Sequence, residues 1–156
     1  MTVGVETCTP ETPIVELARL FLERGIEEMV VLAEGNALGV VGQDELIRAY
    51  TREDFHMLKA ADVLREGVPQ VPPDIPLTTA AQIMLDQHVR ALFLMHHAGG
   101  IEYPAAVISY RHYLRHIAAQ DGEELKDLGI HAQRRSPLDE FVQRREEARK
   151  INRRVR

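Results

Sequence analysis

The sequence predicts an α/β fold made of two copies of one unit, with the order strand, helix, strand, strand, helix. The first copy, CTPETPIVELARLFLERGIEEMVVLA, returns 63 residues later as VPPDIPLTTAAQIMLDQHVRALFLMH. In both copies apolar residues recur at i, i+3, i+4 and i+7, the pattern of a half-buried helix. A unit of this size cannot bury its own apolar face, so the two copies are expected to pack on each other.

The first unit has clear signals for the start and end of its helix. Thr12 is predicted as the N-cap, with Pro13 at the first helical position, where its missing N–H costs nothing. The helix continues to about Arg24, and Gly25 supplies the left-handed residue that ends it. The elements predicted next are a strand over 29–33, a turn over 34–36, a strand over 37–41 and a helix over 44–50.

The second unit repeats this order with one insertion. The offset is 63 as far as Met95 and 67 beyond Pro104, so the segment from His96 contains four extra residues, predicted as a longer loop. The predicted elements are a helix over 76–87, a strand over 91–95, a strand over 105–108 and a helix over 111–119.

Composition narrows the class of protein. The chain has 156 residues, of which 45% are hydrophobic, which suits one compact body or two small packed domains. Its single cysteine, Cys8, excludes an intramolecular disulfide framework and is typical of the reducing cytoplasm. The first ten residues do not resemble a signal peptide, and the apolar runs are too short to span a bilayer. We therefore expect a cytoplasmic protein.

Charge is divided unevenly along the chain. Residues 131–156 carry nine Lys or Arg against four acids, whereas residues 1–130 carry ten against twenty. The acidic body would repel a nucleic acid. The tail is predicted to form a C-terminal helix that begins at Ser136 and Pro137. Docking of this helix on protein is the simpler hypothesis, and binding to nucleic acid is the alternative.

One segment in each copy resembles the signature of a known family. The segment Gly39-Val40-Val41-Gly42-Gln43-Asp44-Glu45-Leu46 is similar to the G-h-h-[TS]-x-x-D-h signature of CBS domains, where h is apolar. The second copy has Ala106-Val107-Ile108-Ser109-Tyr110-Arg111-His112-Tyr113 at the same place. Residues 61–74 resemble the lead-in of such a domain, and residues 1–10 match its end, which indicates that the chain begins inside it. We predict repeats at 1–60 and 61–119, followed by a linker and the Arg-rich helix at 120–156.

The resemblance implies a tandem CBS pair, or Bateman module. Its two β-α-β-β-α repeats would pack sheet to sheet and leave two clefts between them. In many relatives these clefts bind adenine nucleotides and the module regulates another protein. The signature hydroxyl at a helix N-terminus suits a phosphate, and the carboxylate one turn later suits the two ribose hydroxyls.

Neither cleft has the complete pair of signature groups. The first copy keeps a carboxylate, Glu45, but has Gly42 in place of the hydroxyl. The second keeps the hydroxyl, Ser109, but has His112 in place of the carboxylate. Glu45 is either a ribose contact or a solvated first-turn acid. Ser109 is either a phosphate contact or an N-cap with no ligand, and His112 is either a ribose contact or a surface histidine.

The resemblance also implies contacts to the base from the first strand and the middle strand of each repeat. The candidates are Thr7, Cys8, Met29 and Val30 in the first copy and Val71, Pro72, Leu92 and Phe93 in the second. Most of these would also serve as core residues. His112 and His116 have metal-ligand spacing on one helix face and His96-His97 lie in the insertion, but without a fixed geometry we predict no metal site. No catalytic motif is present in the sequence.

These observations predict a regulatory binding protein rather than an enzyme. The leading hypothesis is a sensor of AMP, ADP, ATP or S-adenosylmethionine that modulates a partner protein, with Glu45 favouring the first cleft. The alternative is a ligand-free assembly module. A homodimer is expected through the two signature helices, whose apolar residues are Leu46, Ile47, Tyr113, Leu114 and Ile117.

Overall fold

The computed structural model describes the backbone of residues 2–123 and the side chains of residues 4–123. Residues 1–118 form one compact unit, and of the remaining residues the structure describes only 119–123. The predicted C-terminal helix over 136–156 lies outside the described residues. No helix in the described part of the chain is long and apolar enough to cross a membrane.

The first repeat follows the predicted order with small shifts at its ends. Helix α1, Ile14–Arg24, is ended by Gly25, whose φ of 63° is left-handed, as predicted. Thr12 was wrongly predicted as the N-cap: its hydroxyl instead accepts the N–H of Thr9, and the carbonyl of Pro13 accepts the first helical bond. The elements are β1 Thr2–Val3, β2 Thr7–Cys8, α1 Ile14–Arg24, β3 Glu28–Ala33, β4 Asn36–Gly42 and α2 Gln43–Tyr50.

A short connection leads into the second repeat. It contains a 3-10 turn at Phe55–Met57 and a short helix, α3, at Ala60–Val63. The second repeat then consists of β5 Arg65–Glu66, α4 Leu77–Gln87, β6 Ala91–Ala98, β7 Ile101–Ser109 and α5 Tyr110–Ala118.

The insertion in the second repeat does not form the predicted longer loop. Strands β6 and β7 continue through it and reverse at Gly99 and Gly100, whose φ angles are 59° and 82°. Two successive residues at positive φ form the tight turn that suits the twist of a hairpin. The four extra residues therefore lengthen the hairpin.

The internal repeat extends to the strand pairing. Strand β2 pairs in parallel with β3 through Thr7 and Val30, and residues 70 and 93, 63 positions later, form the equivalent bridge. The lead-in strands are exchanged between repeats: β1 pairs with β7 of the second repeat, and β5 pairs with β4 of the first. Each repeat therefore completes the sheet of the other.

The two hairpins meet in a shared core, and a single bridge between Asn36 and Glu102 joins them into one sheet. Side chains from both repeats bury each other in this core, as the prediction that the sheets pack together requires. Its buried members are Val30, Val40, Ala91 and Phe93. Each repeat also has a core of its own beneath its first helix, around Leu17 and Phe21 in the first and around Ala80 and Met84 in the second.

Candidate functional site

A cavity of about 250 Å³ lies between the two repeats at the N-terminal end of α5. We call it the second cleft, because it contains the signature positions of the second repeat, Ser109 and His112. Both repeats contribute to its wall, the first through its lead-in and the segment between α1 and β3. Its lining residues are Gly4, Val5, Glu6, Arg24, Gly25, Ile26, Glu27, Glu28, Ala91, Val107, Ser109, Arg111, His112 and Arg115.

Ser109 and His112 form a local hydrogen-bonded pair at the start of α5. The backbone N–H of Ser109 donates to Nδ1 of His112 over 3.0 Å, and the Ser109 hydroxyl lies 3.2 Å from the same nitrogen. A backbone N–H can only donate, so Nδ1 carries no proton and Nε2 carries it. His112 thus caps the helix and is a hydrogen-bond donor through Nε2.

His112 is held in its neutral form. The pKa of His112 is lowered from 6.5 to about 4, mainly by burial and in part by the nearby positive charge of Arg115. The imidazole therefore adds no charge to the second cleft at neutral pH. It is half-buried, which contradicts its interpretation as an ordinary surface histidine.

Three arginines line the second cleft, and none of them was predicted as a site residue. Arg24 forms an ion pair with Glu6. The Arg111 guanidinium donates to the carbonyl of Gly25 over 3.4 Å, and its backbone N–H donates to the Glu27 carboxylate over 3.3 Å. Among the described residues, Arg115 has no ion-pair partner within 4.0 Å. The signal in the sequence was the pair of arginines that flank His112 on one helix.

The equivalent cleft at the start of α2, which we call the first cleft, is occupied by charged side chains. Glu45 is 4% exposed, and its Oε2 accepts the backbone N–H of Gly42 over 2.9 Å. The interpretation of Glu45 as a solvated acid was therefore wrong. Its other oxygen lies 3.6 Å from Arg65 and 3.6 Å from Arg48.

Arg65 holds the centre of the first cleft. Its guanidinium donates to Glu28 over 3.2 Å and faces Glu45, so that one cation lies between two buried carboxylates. Burial raises the pKa of Glu28, although the Arg90 backbone N–H and the Arg65 charge both oppose this. Arg90 extends the network by pairing with Asp44 over 3.2 Å. In the first cleft these ion pairs lie around the positions equivalent to Ser109, Arg111 and His112. In the second cleft those three residues line the cavity.

One cross-strand pair decides whether a signature hydroxyl fits. In the first repeat Glu28 lies opposite Gly42, and a Cβ added to Gly42 would lie 2.9 Å from Glu28 Cγ and 3.0 Å from Glu45 Oε2. In the second repeat the equivalent pair is Ala91 and Ser109. The small Ala91 leaves room for the serine, whereas Glu28 excludes one from position 42.

The apolar candidates for base contacts do not line the second cleft. They lie in the cores: Cys8 and Met29 beneath α1, Val71 and Leu92 beneath α4, and Val30 and Phe93 between the repeats. These residues are between 0% and 7% exposed, which leaves no surface for a ligand. Thr7 and Pro72 are exposed but are absent from the lining of the second cleft. Burial also raises the pKa of the Cys8 thiol to about 11, so it is unreactive.

The histidines considered as metal ligands have other contacts. His96 packs against the ring of Tyr103, and His97 lies 3.7 Å from Glu102. Nδ1 of His112 accepts the Ser109 N–H. Across residues 4–123, no three or more His, Cys, Asp or Glu side chains come together in a group that could hold a metal ion.

Comparison with known proteins gives a family and a set of similar folds. The CBS domain family model matches residues 1–52 and 60–119. No curated protein matches the sequence. Among solved structures, protein MJ1225 of Methanocaldococcus jannaschii has a TM-score of 0.60 at 17% identity, over 70% of this chain and 42% of that one. The chain therefore spans less than half of this longer relative.

Two of the similar structures contain adenine nucleotides. CBSX2 in complex with AMP has a TM-score of 0.58 at 18% identity, over 75% of this chain and 91% of that one. The CBS domain of a bacterial CNNM/CorC family Mg²⁺ transporter in complex with ATP has a TM-score of 0.54 at 16% identity, over 82% of each chain. At these identities the similarity demonstrates the fold.

Proposed function

Since the chain belongs to the CBS-domain family, we propose that it is a regulatory module that binds an adenine nucleotide in the second cleft and modulates a partner protein. It acts without catalysis, in the cytoplasm, through repeats at 1–60 and 61–119. The observation that carries the proposal is the cavity of about 250 Å³ at the start of α5, lined by Ser109, Arg111 and Arg115.

The chemistry of the second cleft suits a phosphate. The hydroxyl of Ser109 lies at the N-terminus of α5, where the helix dipole favours negative charge. Arg111 and Arg115 follow in the first two turns of the same helix and add two positive charges. The cavity is close to the lower limit of small-molecule sites, roughly 300 to 1,000 Å³, which favours a mononucleotide over a larger ligand.

The proposal places the ligand in the second cleft although the sequence favoured the first. In the first cleft, Glu45 already accepts the Gly42 N–H and faces Arg65, so its carboxylate is committed to the protein. Binding there would require these buried ion pairs to separate, which is costly. Neighbouring folds with AMP and ATP support the ligand class.

Calorimetric titration with AMP, ADP, ATP and S-adenosylmethionine tests the proposal. We expect one molecule of nucleotide per chain, with AMP among the ligands that bind. Arg115→Ala should weaken binding by about tenfold through loss of a charged contact to phosphate. Arg48→Ala, at the equivalent position of the first repeat and 77% exposed, should leave the affinity unchanged. Binding that responds to Arg48 and not to Arg115 would move the site to the first cleft.

A second function, assembly through a homodimer, is favoured by exposed apolar residues on α2 and α5. Ile47 is 65% exposed and its counterpart Leu114 is 63% exposed, and Tyr50 and its counterpart Ile117 are also exposed. Leu46 and Tyr113 do not belong to this surface: both are half-buried, and the Tyr113 hydroxyl donates to the Leu77 carbonyl. Four large apolar side chains at equivalent positions of two repeats suit a two-fold interface.

Light scattering of the full chain tests the dimer. We expect twice the chain mass of 17.7 kDa at micromolar concentration. Ile47→Lys with Leu114→Lys should reduce the mass to that of one chain, because charges would be buried in the interface. Leu22→Lys is the control, since Leu22 is 87% exposed on α1 and lies outside the proposed surface. A parent protein with the mass of one chain would refute the dimer.

A further inference from the structure

A carboxylate of the first repeat lies at the N-terminus of α5, inside the second cleft. Glu27, in the segment between α1 and β3, accepts the backbone N–H of Arg111 through Oε2 over 3.3 Å. Arg111 is the second residue of α5, so its N–H has no partner within the helix. The helix N-terminus favours an anion, and in this structure the anion there is a side chain of the protein itself.

The first cleft has an equivalent contact in which the charges are reversed. Glu27 corresponds to Arg90 by the offset of 63, and Arg111 corresponds to Asp44 by the offset of 67. The Arg90 guanidinium donates to the Asp44 carboxylate over 3.2 Å. Asp44 belongs to α2 and stays at the start of that helix, whereas Glu27 comes from the other repeat and can leave α5 when its side chain rotates.

Few contacts hold the Glu27 side chain in place. It is half-buried, and among the described residues it forms no ion pair within 4.0 Å. The Arg111 guanidinium donates to the Gly25 carbonyl instead. The backbone carbonyl of Glu27 accepts the N–H of Gln43 over 3.3 Å, so the main chain is anchored separately from the carboxylate. The side chain can therefore move without the separation of a buried ion pair.

A ligand phosphate at the start of α5 would need the hydrogen-bond donor that Glu27 uses. The Arg111 N–H has one hydrogen, and a phosphate beside an ionised carboxylate would be repelled by it. The phosphate has more charge and more acceptor oxygens than the carboxylate, so it is the stronger partner for the helix N-terminus and the cleft arginines. A neutral nucleoside has no need of this N–H.

We infer that Glu27 is a built-in competitor for the phosphate of the ligand: the phosphate displaces the Glu27 carboxylate from the Arg111 N–H. Glu27 therefore lowers the affinity of the second cleft for anionic ligands and leaves its affinity for neutral ones unchanged. This inference rests on the proposed function and identifies a residue that sets its affinity.

Calorimetric titration of the full chain with AMP and with adenosine, at one ionic strength, tests the inference. Glu27→Gln keeps the length of the side chain and an acceptor oxygen but removes the charge. We expect the variant to bind AMP about threefold to fivefold more tightly than the parent, the effect of one charge at a helix N-terminus. Its affinity for adenosine should stay within about twofold.

Glu23→Gln is the matched control for net charge. Glu23 is exposed on α1 and does not line the second cleft, and its substitution removes the same charge from a position close in sequence. We expect this variant to bind AMP as the parent does, because salt screens the interaction between exposed charges. An equal gain for Glu23→Gln and Glu27→Gln would reduce the effect to net charge and would refute the competition.

Nuclear magnetic resonance distinguishes displacement from mere repulsion. The Arg111 amide resonance should differ between the parent and Glu27→Gln without ligand and should nearly coincide when both are saturated with AMP, because phosphate has then replaced residue 27 in both. A difference that persists at saturation would show that Glu27 keeps its hydrogen bond. In the parent alone, the side-chain carboxyl resonance of Glu27 should shift with AMP and not with adenosine, which decides the question even if Glu27→Gln does not fold.

The outcomes separate the inference from the proposed function. If the parent binds AMP and Glu27→Gln binds it equally or more weakly, Glu27 is a bystander or an acceptor for the ligand, so the inference is wrong and the proposed function stands. If AMP binds neither protein, the proposed function fails and the inference fails with it.

Discussion

The two clefts are built from the same repeated unit, yet buried ion pairs cross the first, whereas the second forms a cavity of about 250 Å³ between the repeats. Glu28 and Gly42 form a cross-strand pair in the first repeat, and Ala91 and Ser109 form the equivalent pair in the second. The large residue of the first pair brings a carboxylate that attracts Arg65 and fills the cleft. A single difference in side-chain size between paired positions thus separates a cleft crossed by ion pairs from the cleft in which we propose that a ligand binds.

Glu45 and His112 occupy equivalent helix positions in the two repeats and have the same structural role, but they differ in polarity. Glu45 accepts the N–H of Gly42, and His112 accepts the N–H of Ser109, each three residues upstream. Both side chains therefore cap a helix N-terminus. The carboxylate accepts this hydrogen bond and has no N–H of its own, whereas the imidazole accepts it at Nδ1 and has an N–H at Nε2. The capping role explains why a histidine can stand in for a carboxylate here.

The largest difference between the clefts should appear on removal of the capping side chains. Glu45→Ala is expected to lower the free energy of unfolding by about 2–3 kcal/mol, because it removes a helix cap and leaves Arg65 and Glu28 with an incomplete network. Urea denaturation at pH 7 measures this loss. A solvated acid at this position would instead leave the stability nearly unchanged.

His112→Ala is the matched change in the second cleft. It removes the same cap, but His112 is half-buried and neutral, whereas Glu45 is buried and lies between the charges of Arg48 and Arg65. We expect a loss of about 1 kcal/mol. Equal losses for the two variants would show that the charged network of the first cleft adds nothing to the stability.

The cross-strand pair predicts an effect of intermediate size with a defined rescue. Gly42→Ser should cost about 1–2 kcal/mol, because its Cβ would lie 2.9 Å from Glu28 Cγ, closer than packing allows. In the Glu28→Ala background the same change should cost less, since the obstructing side chain is gone. A double-mutant cycle by urea denaturation measures this coupling, and additive losses would contradict it.

The sequence was informative where one unit is repeated and helix ends are marked. Gly25 and the pattern around Leu17 predicted α1 correctly, and offset 63 identified the second repeat, whose helix also ends in a left-handed residue, His88. The four extra residues after Met95 were misjudged because Gly99-Gly100 was not recognised as a hairpin turn within them.

The closure of the first cleft could not be predicted from the signature alone. It depends on Arg65, which comes from the lead-in strand of the other repeat through the exchange of β1 and β5. Contacts between positions 20 and 37 residues apart, as for Glu45 and Glu28 with Arg65, follow from tertiary packing and not from local spacing. Likewise, apolar candidates such as Met29 and Phe93 satisfy the pattern of a core as well as that of a base contact.

A last expected effect concerns pH and separates His112 from its counterpart Glu45. The pKa of His112 is about 4 in the folded chain because of burial, against 6.5 for an exposed histidine. As the pH falls below 6.5 the unfolded chain binds a proton that the folded chain does not, so stability is lost between about pH 6.5 and pH 4. His112→Gln keeps an acceptor for the Ser109 N–H but cannot titrate in this range.

Between pH 7 and pH 5 the parent should therefore lose about 1 kcal/mol more than His112→Gln, a value reduced from the full linkage because the side chain is half-exposed. Urea denaturation of both proteins at the two pH values measures the difference, and the six other histidines cancel because both proteins contain them. His116→Gln, an exposed histidine on the same helix, should follow the parent. If His112→Gln loses as much stability as the parent, the imidazole is protonated as readily in the folded chain as in the unfolded one. The folded structure would then not hold His112 in its neutral form.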